Sequence, residues 1–278
     1  MPGAVQRRTL LDMTETGTAA GRSPLRSVAL PTEHGGWSLT LEPVILGLLV
    51  APSVAGFALG GAALVAFIAR TPLKVVLVDR WRGRWLARSS LAARVAGVEI
   101  AILGTLAAVA IVTADAPFWW PLLLAAPPIG VELWHDMRSQ SRRLVPELAG
   151  AIGIGSIAAA VALAGGAADS VAAGLWLVIA ARSIAAVPFV RVQLLRAKAR
   201  AHFVWHSDLA QVVAVAMGVT GWLTDLVPPA AVAALAILAI FDLVAVRRAP
   251  QPAPIIGAQQ VVLGLTVILI TALGVRAP

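Results

Sequence analysis

The sequence has no cysteine and no tyrosine among its 278 residues, and only 13% of the residues are charged. The missing cysteines exclude disulfide bonds, thiolate metal sites, cysteine-bound iron–sulfur clusters and cysteine nucleophiles. Soluble domains carry roughly 25% charged residues, whereas 59% of this chain is hydrophobic and its mean hydropathy is +0.86. A soluble fold of this size does not cover so much apolar surface. We therefore expect a lipid bilayer to surround this protein.

The charges that are present are mostly positive, with 22 Lys and Arg residues against 14 Asp and Glu residues and a net charge of +8. Such a surplus is found in proteins that bind nucleic acid, and also in membrane proteins, where Lys and Arg in loops set the orientation. Orientation accounts for the surplus here, so we expect no nucleic acid partner.

Apolar runs separated by charged, Pro or Gly breaks predict nine transmembrane helices, since a helix needs about 20 mostly apolar residues to cross a bilayer. The predicted spans are residues 37–53, 54–74, 92–113, 117–134, 145–165, 170–190, 208–224, 229–246 and 255–274. The predicted fold class is an all-α polytopic membrane helix bundle, with residues 30–278 as its domain. Residues 1–29 are polar and rich in Gly, Thr and Ser, and we expect them to form a disordered cytoplasmic tail.

The basic residues lie in alternate connections between these spans. The turns that hold Asp115, Asp169 and Asp225 contain no Lys or Arg. Each of the remaining connections after the second span contains two or more. Cytoplasmic loops carry the excess of Lys and Arg. This pattern predicts a cytoplasmic N-terminus and, after nine crossings, a C-terminus outside.

Two of the basic connections align with each other at an offset of 112 residues. The segments ARTPLKVVLVDRWRGRWLAR (69–88) and ARSIAAVPFVRVQLLRAKAR (181–200) share several Ala, Val and Arg positions, among them Arg70 with Arg182. One interpretation is a true internal repeat that makes two pseudo-repeated halves, which membrane folds often have. The other is shared composition, and the sequence leaves both open.

Arg70 and Arg182 are the first candidate site residues. If spans two and six ended at these arginines, neither helix would cross a core of about 30 Å. Each helix must therefore continue, which would place both guanidinium groups one or two turns below the cytoplasmic surface. A guanidinium fork is well shaped for a phosphate or carboxylate, so we predict a cytoplasm-facing cavity that binds an anionic lipid-like or isoprenoid-like ligand. The alternative is snorkelling of both side chains to lipid headgroups.

Glu132 and Asp136 form the second candidate pair. Their i,i+4 spacing puts both carboxylates on one helical face, where they could hold a hard cation such as Mg²⁺. If the predicted cavity binds an anionic ligand, proton transfer or metal binding would come from His34, Glu132 or Asp136. The alternative is ion pairing of the two carboxylates with Arg138 or Arg142.

Other polar side chains fall inside the predicted spans or near their ends. Those inside are Glu42, Glu99, Glu147, Asp242, Gln211, Gln259 and Gln260. Ionisable groups in lipid mark ion or substrate pathways by default, so a transporter or permease is an alternative function. A structural ion pair is the competing interpretation, for which Glu42 or Glu99 could face Arg182. His202 and His206 are also four residues apart, but two imidazoles among basic neighbours are a weak signal, and we assign no metal site.

The start of the first span carries a resemblance to a known family. LPTEHGGWSLTLEPVILGLL (30–49), with its EHGGW entry, resembles the opening of the YwiC-like membrane proteins of bacteria. Residues 147–166 and 187–195 resemble later blocks of that family, and the resemblance covers most of residues 30–275. It implies a location in the bacterial cell (inner) membrane. It implies no reaction, so catalytic residues, cofactors and protein partners remain unassigned, and a non-catalytic membrane subunit is a third alternative.

The layout is also similar to that of the UbiA-type intramembrane prenyltransferases, which have nine helices and pseudo-repeated halves. Those enzymes bind Mg²⁺-diphosphate through Asp-rich N/D-x-x-x-D motifs after helices two and six. In this chain the first such segment holds only Asp79, and the second holds no acidic residue before Asp208. The resemblance therefore implies a related scaffold with altered or lost chemistry.

Overall fold

A computed structural model describes residues 34–140 and 143–277, with side chains from residue 36 onward in the first range. Within these residues the chain forms nine α-helices and no β-strand. The helices are α1 His34–Val50, α2 Val54–Trp81, α3 Ala87–Thr113, α4 Trp119–Met137, α5 Leu144–Ala164, α6 Asp169–Ala197, α7 Trp205–Leu223, α8 Pro229–Ala245 and α9 Ala253–Arg276. The predicted fold class, an all-α polytopic membrane helix bundle, is confirmed. The predicted tail of residues 1–29 lies outside the described residues.

The helices differ in length. By length and composition α2, α3, α5, α6 and α9 can cross a membrane, whereas α1 and α8 are apolar helices of 17 residues. The helices α2 and α6 have 28 and 29 residues and continue past Arg70 and Arg182, as predicted. Both end in a turn that contains a basic residue, Arg80 or Arg196. A cation there interacts favourably with the negative end of the helix dipole, which favours a helix that extends beyond the apolar run.

Small residues place α5 at the centre of the bundle. This helix packs against α1, α2, α4 and α6, and its segment from residue 158 to residue 164 is almost completely buried. Glycines on the facing helices permit the close approach. A Cβ atom at Gly47 of α1 would lie 2.8 Å from the carbonyl oxygen of Ala158. Close approach through small residues is the usual way in which membrane helices associate.

The second half of the chain packs around α6. This helix contacts α1, α5, α7, α8 and α9, and α9 in turn packs against α1. The interior between α1 and α6–α9 is therefore enclosed by five helices. In contrast, α3 packs mainly against α2, and only 11% of its most apolar window is buried.

The loops of the bundle lie on two opposite sides. On one side Arg82 donates a hydrogen bond to Ser139 Oγ at 3.1 Å, and Arg196 donates to the carbonyl oxygen of Arg248 at 3.0 Å. On the other, the Asp115 backbone nitrogen donates to the Ala164 carbonyl oxygen at 2.9 Å. We call the first the basic side; it comprises residues 82–86, 138–140, 143, 198–204 and 246–252.

Candidate functional site

Arg182 is the largest fully buried side chain of the described structure, with 1% of its surface exposed. It lies near the middle of α6, well away from both helix ends. Its Nη2 donates hydrogen bonds to Glu42 Oε1 at 3.0 Å and to the Gln260 carbonyl oxygen at 2.8 Å. The predicted ion pair of Arg182 with an acidic residue is thus confirmed for Glu42. Glu99, the other predicted partner, lies on α3, and its Oε2 is buried without a hydrogen-bond partner in the described structure.

A glycine of α9 makes room for this ion pair. A Cβ atom at Gly264 would overlap the Glu42 carboxylate and lie 2.8 Å from Arg182 Nη2. Since any other residue carries a Cβ atom, only glycine lets the α9 backbone approach the pair so closely. The ion pair is therefore fitted between α1, α6 and α9.

Asp242 lies in the same interior and is completely buried. Its Oδ1 accepts a hydrogen bond from Gln260 Nε2 at 2.9 Å, and its Oδ2 accepts one from Gln211 Nε2 at 3.3 Å. Gln260 connects the two groups, because its carbonyl oxygen binds Arg182 and its side chain binds Asp242. We call Glu42, Arg182, Gln211, Asp242 and Gln260 the polar network.

Several polar atoms in and beside the network have no hydrogen-bond partner in the described structure. They are Nε and Nη1 of Arg182, Oε1 of Gln211, Oε1 of Gln260 and Oγ of Ser207. A buried donor or acceptor without a partner costs roughly 1–3 kcal/mol. Donors and acceptors are both left over, and the network holds two carboxylates against one guanidinium. The interior can therefore bind further polar groups, and its charge favours a proton or a small cation.

The other predicted site residues form a second cluster, between α2 and α4. Arg70 Nη2 lies 2.8 Å from Glu132 Oε1, and Arg70 Nε lies 2.9 Å from Asp136 Oδ2. Lys74 Nζ lies 3.1 Å from Asp136 Oδ1, and the Asp136 side chain is 1% exposed. We call these four residues the α2–α4 cluster. Among the described residues, its two carboxylates face two cations.

The described partners of Glu132 and Asp136 lie on α2. Ion pairing is confirmed for both carboxylates, but they pair with residues of α2 and not with Arg138, whose guanidinium lies 4.2 Å from the centre of the Trp134 ring. Arg142 lies outside the described residues. The prediction missed α2 because only tertiary packing brings it beside α4.

Arg70 and Arg182 therefore have different acidic partners, on α4 and on α1. A ligand held by both arginines stays a prediction. The predicted contribution of His34 to ligand binding falls outside the described side chains, although its backbone begins α1.

Asp79, the single acidic residue of segment 69–88, is completely buried at the end of α2. Its carboxylate accepts hydrogen bonds from Ser89 Oγ at 2.7 Å, Arg88 Nη2 at 3.0 Å and Arg84 Nε at 3.0 Å. Asp79 thus fixes the connection between α2 and α3. The run of arginines after the acidic residue was a signal for this arrangement.

The two histidines of the connection between α6 and α7 lie apart from the network. His202 Nδ1 lies 2.8 Å from the Arg200 carbonyl oxygen, and the His206 ring stacks on Trp205 with 4.0 Å between centres. In the described part of the chain, no three His, Asp or Glu side chains are grouped so that they could hold a metal ion.

Comparison with known proteins supports the resemblance noted in the sequence. Residues 30–162 match the family model described as YwiC-like protein. This part of the chain is similar to the YwiC-like proteins, and we call it the YwiC-like region. No curated protein and no solved structure matches the chain. The similarity to the UbiA-type prenyltransferases therefore receives no support from these comparisons.

The YwiC-like region contains different shares of the α2–α4 cluster and the polar network. It contains the whole α2–α4 cluster but only Glu42 of the polar network. The other four network residues follow the matched region. The buried ion pair therefore joins the YwiC-like region to the remainder of the chain.

Proposed function

We propose that this protein is a membrane transporter in which the polar network binds a proton or a small cation. The observation that carries the proposal is the environment of Asp242. Its carboxylate is completely buried, and its hydrogen-bond donors are the neutral amides of Gln211 and Gln260. An ionised carboxylate is costly in such a place unless a positive charge accompanies it. A transported proton or cation would supply that charge.

The positions of the network residues suggest where the ion enters. Ser207 and Gln211 are one helical turn apart near the start of α7, and Asp242 lies near the end of α8. Both helix ends adjoin the basic side. Arg182 lies near the middle of α6 and Glu42 near the middle of α1. The buried polar groups therefore lead from the basic side to about half the depth of the bundle, which is where transporters hold their coupling ions.

The position of the Arg182 guanidinium depends on the charge of Asp242. The guanidinium already binds Glu42 through Nη2, while its Nε and Nη1 are buried without partners. When Asp242 carries a proton, Glu42 is the one charged carboxylate of the network. When Asp242 loses the proton, Arg182 has two charged carboxylates near it. The guanidinium can then shift between the two acidic groups, and this would couple ion binding to movement of α6 against α1.

The test uses the full-length protein in liposomes with a pH-sensitive dye inside and a panel of solutes outside. Asp242→Asn keeps the shape of the side chain but removes its charge, and we expect it to abolish proton-coupled flux. Glu147→Gln is the matched control, because Glu147 is 36% exposed, lies in the first turn of α5 and is 3.4 Å from Arg191. Flux that is equal in wild type and Asp242→Asn, or no flux in wild type with any solute, contradicts the proposal.

A second candidate function is binding of an anionic lipid-like ligand, favoured by the two unpartnered donors of Arg182. The nearby carboxylates of Glu42 and Asp242 oppose an anion, so we rank this candidate second. Native mass spectrometry tests it by detecting a co-purifying phospholipid or isoprenoid. Unaltered retention in the double variant Arg70→Ala, Arg182→Ala would exclude the roles predicted for these arginines.

We further propose that the basic side faces the cytoplasm of a bacterial cell, with the C-terminus outside. The excess of Lys and Arg in the loops of that side supports this orientation. Trp120 and Trp222 lie near the opposite side, at the start of α4 and the end of α7. Tryptophan is enriched at membrane–water interfaces, which fits a membrane boundary there.

A further inference from the structure

A cavity of about 160 Å³ lies on the basic side between the end of α6 and the start of α7. Its lining includes Pro188, Val192 and Leu195 of α6, and also His202 and His206. Both histidines are exposed, so the cavity is reached from the surface. Its size is close to the roughly 150 Å³ of an engineered cavity that binds benzene. It can therefore hold an apolar segment of a ligand.

The chain around this cavity is positively charged and contains no acidic residue from Arg191 to Ser207. Arg191 pairs with Glu147, and Arg196 donates to the Arg248 carbonyl oxygen. Lys198 and Arg200 are exposed and have no acidic partner within the described residues. Neither residue lines the cavity, but both lie in the short stretch of chain between the lining residues Leu195 and Ala201. A connection with two such cations thus borders the apolar cavity, and this combination is complementary to an anionic amphiphile.

Aromatic residues indicate that the cavity lies at the membrane surface. Phe203 lines the cavity and is 63% exposed, and Trp205 at the start of α7 is 56% exposed. Tryptophan side chains of membrane proteins are enriched at the level of the lipid headgroups. Basic pockets between helices on the cytoplasmic side are where anionic headgroups bind. The ligand is then drawn from the bilayer.

We propose that this cavity binds one anionic phospholipid of the surrounding membrane. A segment of its acyl chain lies against Val192, Leu195 and Phe203, and its phosphate lies at Lys198 and Arg200. None of these residues belongs to the polar network. The proposal therefore goes beyond ion transport, and its test does not depend on whether the protein shows proton-coupled flux.

The test is native mass spectrometry of the full-length protein in detergent, titrated with phosphatidylglycerol or with phosphatidylcholine that has the same acyl chains. We expect wild type to retain phosphatidylglycerol preferentially. The double variant Lys198→Gln, Arg200→Gln should retain it roughly tenfold or more less strongly, because each basic residue near an anionic lipid contributes to binding. Arg94→Gln removes one exposed arginine of α3 and is the matched control, with unchanged retention expected.

A second variant tests the cavity separately from the charge. Ala201 lines the cavity and is exposed, so Ala201→Trp should fill the cavity without unfolding the protein. We expect this variant to retain less phosphatidylglycerol although its net charge is that of wild type. Equal retention of the two lipids by wild type overturns the proposal. Full retention of phosphatidylglycerol by Ala201→Trp or by the double variant Lys198→Gln, Arg200→Gln also overturns it.

Discussion

Glu42 and Arg182 form a buried ion pair at 3.0 Å, although 140 residues separate them in the chain. The pair joins α1 to α6, and the Gln260 carbonyl oxygen adds α9 to the contact. A single guanidinium thus connects three helices in the interior of the bundle. Because the pair is buried, its removal affects stability as well as any function of the polar network.

The first prediction concerns this ion pair. Glu42→Gln and Arg182→Met each leave one buried charge without its partner, and such a loss costs about 3–5 kcal/mol. The double variant leaves neither charge in the pair and should be less destabilised than the sum of the two single variants. Thermal unfolding of the purified protein in detergent measures the three effects. Additive effects of the two substitutions would show that the pair is not energetically coupled.

The second prediction concerns Gly264. Its substitution by alanine places a Cβ atom on the Glu42 carboxylate, so Gly264→Ala should lower the melting temperature and disturb the ion pair. Gly257→Ala is the matched control on α9, because a Cβ atom there meets nothing within 4 Å. Alanine in an exposed helical position is roughly 1 kcal/mol more favourable than glycine. The control should therefore be neutral or stabilising, and equal melting temperatures for the two variants would contradict the close approach of α9.

The third prediction compares buried and exposed ion pairs. Asp136→Ala leaves Arg70 and Lys74 without the buried carboxylate that binds both, and we expect a loss of several kcal/mol. Glu147→Gln breaks an exposed pair, which is worth about 1 kcal/mol or less. Unfolding in detergent at low and high salt distinguishes the two, since salt screens only the exposed pair strongly. A smaller loss for Asp136→Ala than for Glu147→Gln would argue against the α2–α4 cluster.

The fourth prediction concerns orientation, for which the lack of native cysteine is convenient. Single cysteines at Ala201 on the basic side and at Thr224 on the opposite side are both placed at exposed positions. In intact cells a membrane-impermeant maleimide should label Thr224→Cys and leave Ala201→Cys unlabelled. Permeabilised cells provide the control, in which both variants react. The reverse pattern in intact cells would place the basic side outside.

Much of the fold follows from local sequence. Apolar runs and their breaks predicted nine helices in the correct order, because hydrocarbon excludes unpaired backbone groups and only a continuous helix satisfies them. The extensions of α2 and α6 were also predicted, since a helix that ended at Arg70 or Arg182 would be too short. Their end points, Trp81 and Ala197, were underestimated by several residues. Apolarity marks the membrane core but not the part of a helix that projects into water.

The sites were predicted less well. The membrane position of Glu42, Arg182 and Asp242 singled them out as candidates, but their order in the sequence did not show that Gln260 connects them. Glu132 and Asp136 were correctly expected to form ion pairs, but their described partners on α2 were not predicted. Local spacing shows which residues share a helical face. It does not show which other helix that face meets.

The sequence by itself determined that residues 34–140 and 143–277 form a membrane bundle of nine helices, with the basic loops in alternate connections. Hydrophobicity and charge are properties of short segments, so they can be read without knowledge of the fold. Only the tertiary structure decided that Arg182 meets Glu42 and that Arg70 meets Asp136. Those contacts depend on the rotation and packing of each helix, which small residues such as Gly264 and Gly47 permit through close approach. Such packing couples residues far apart in the chain.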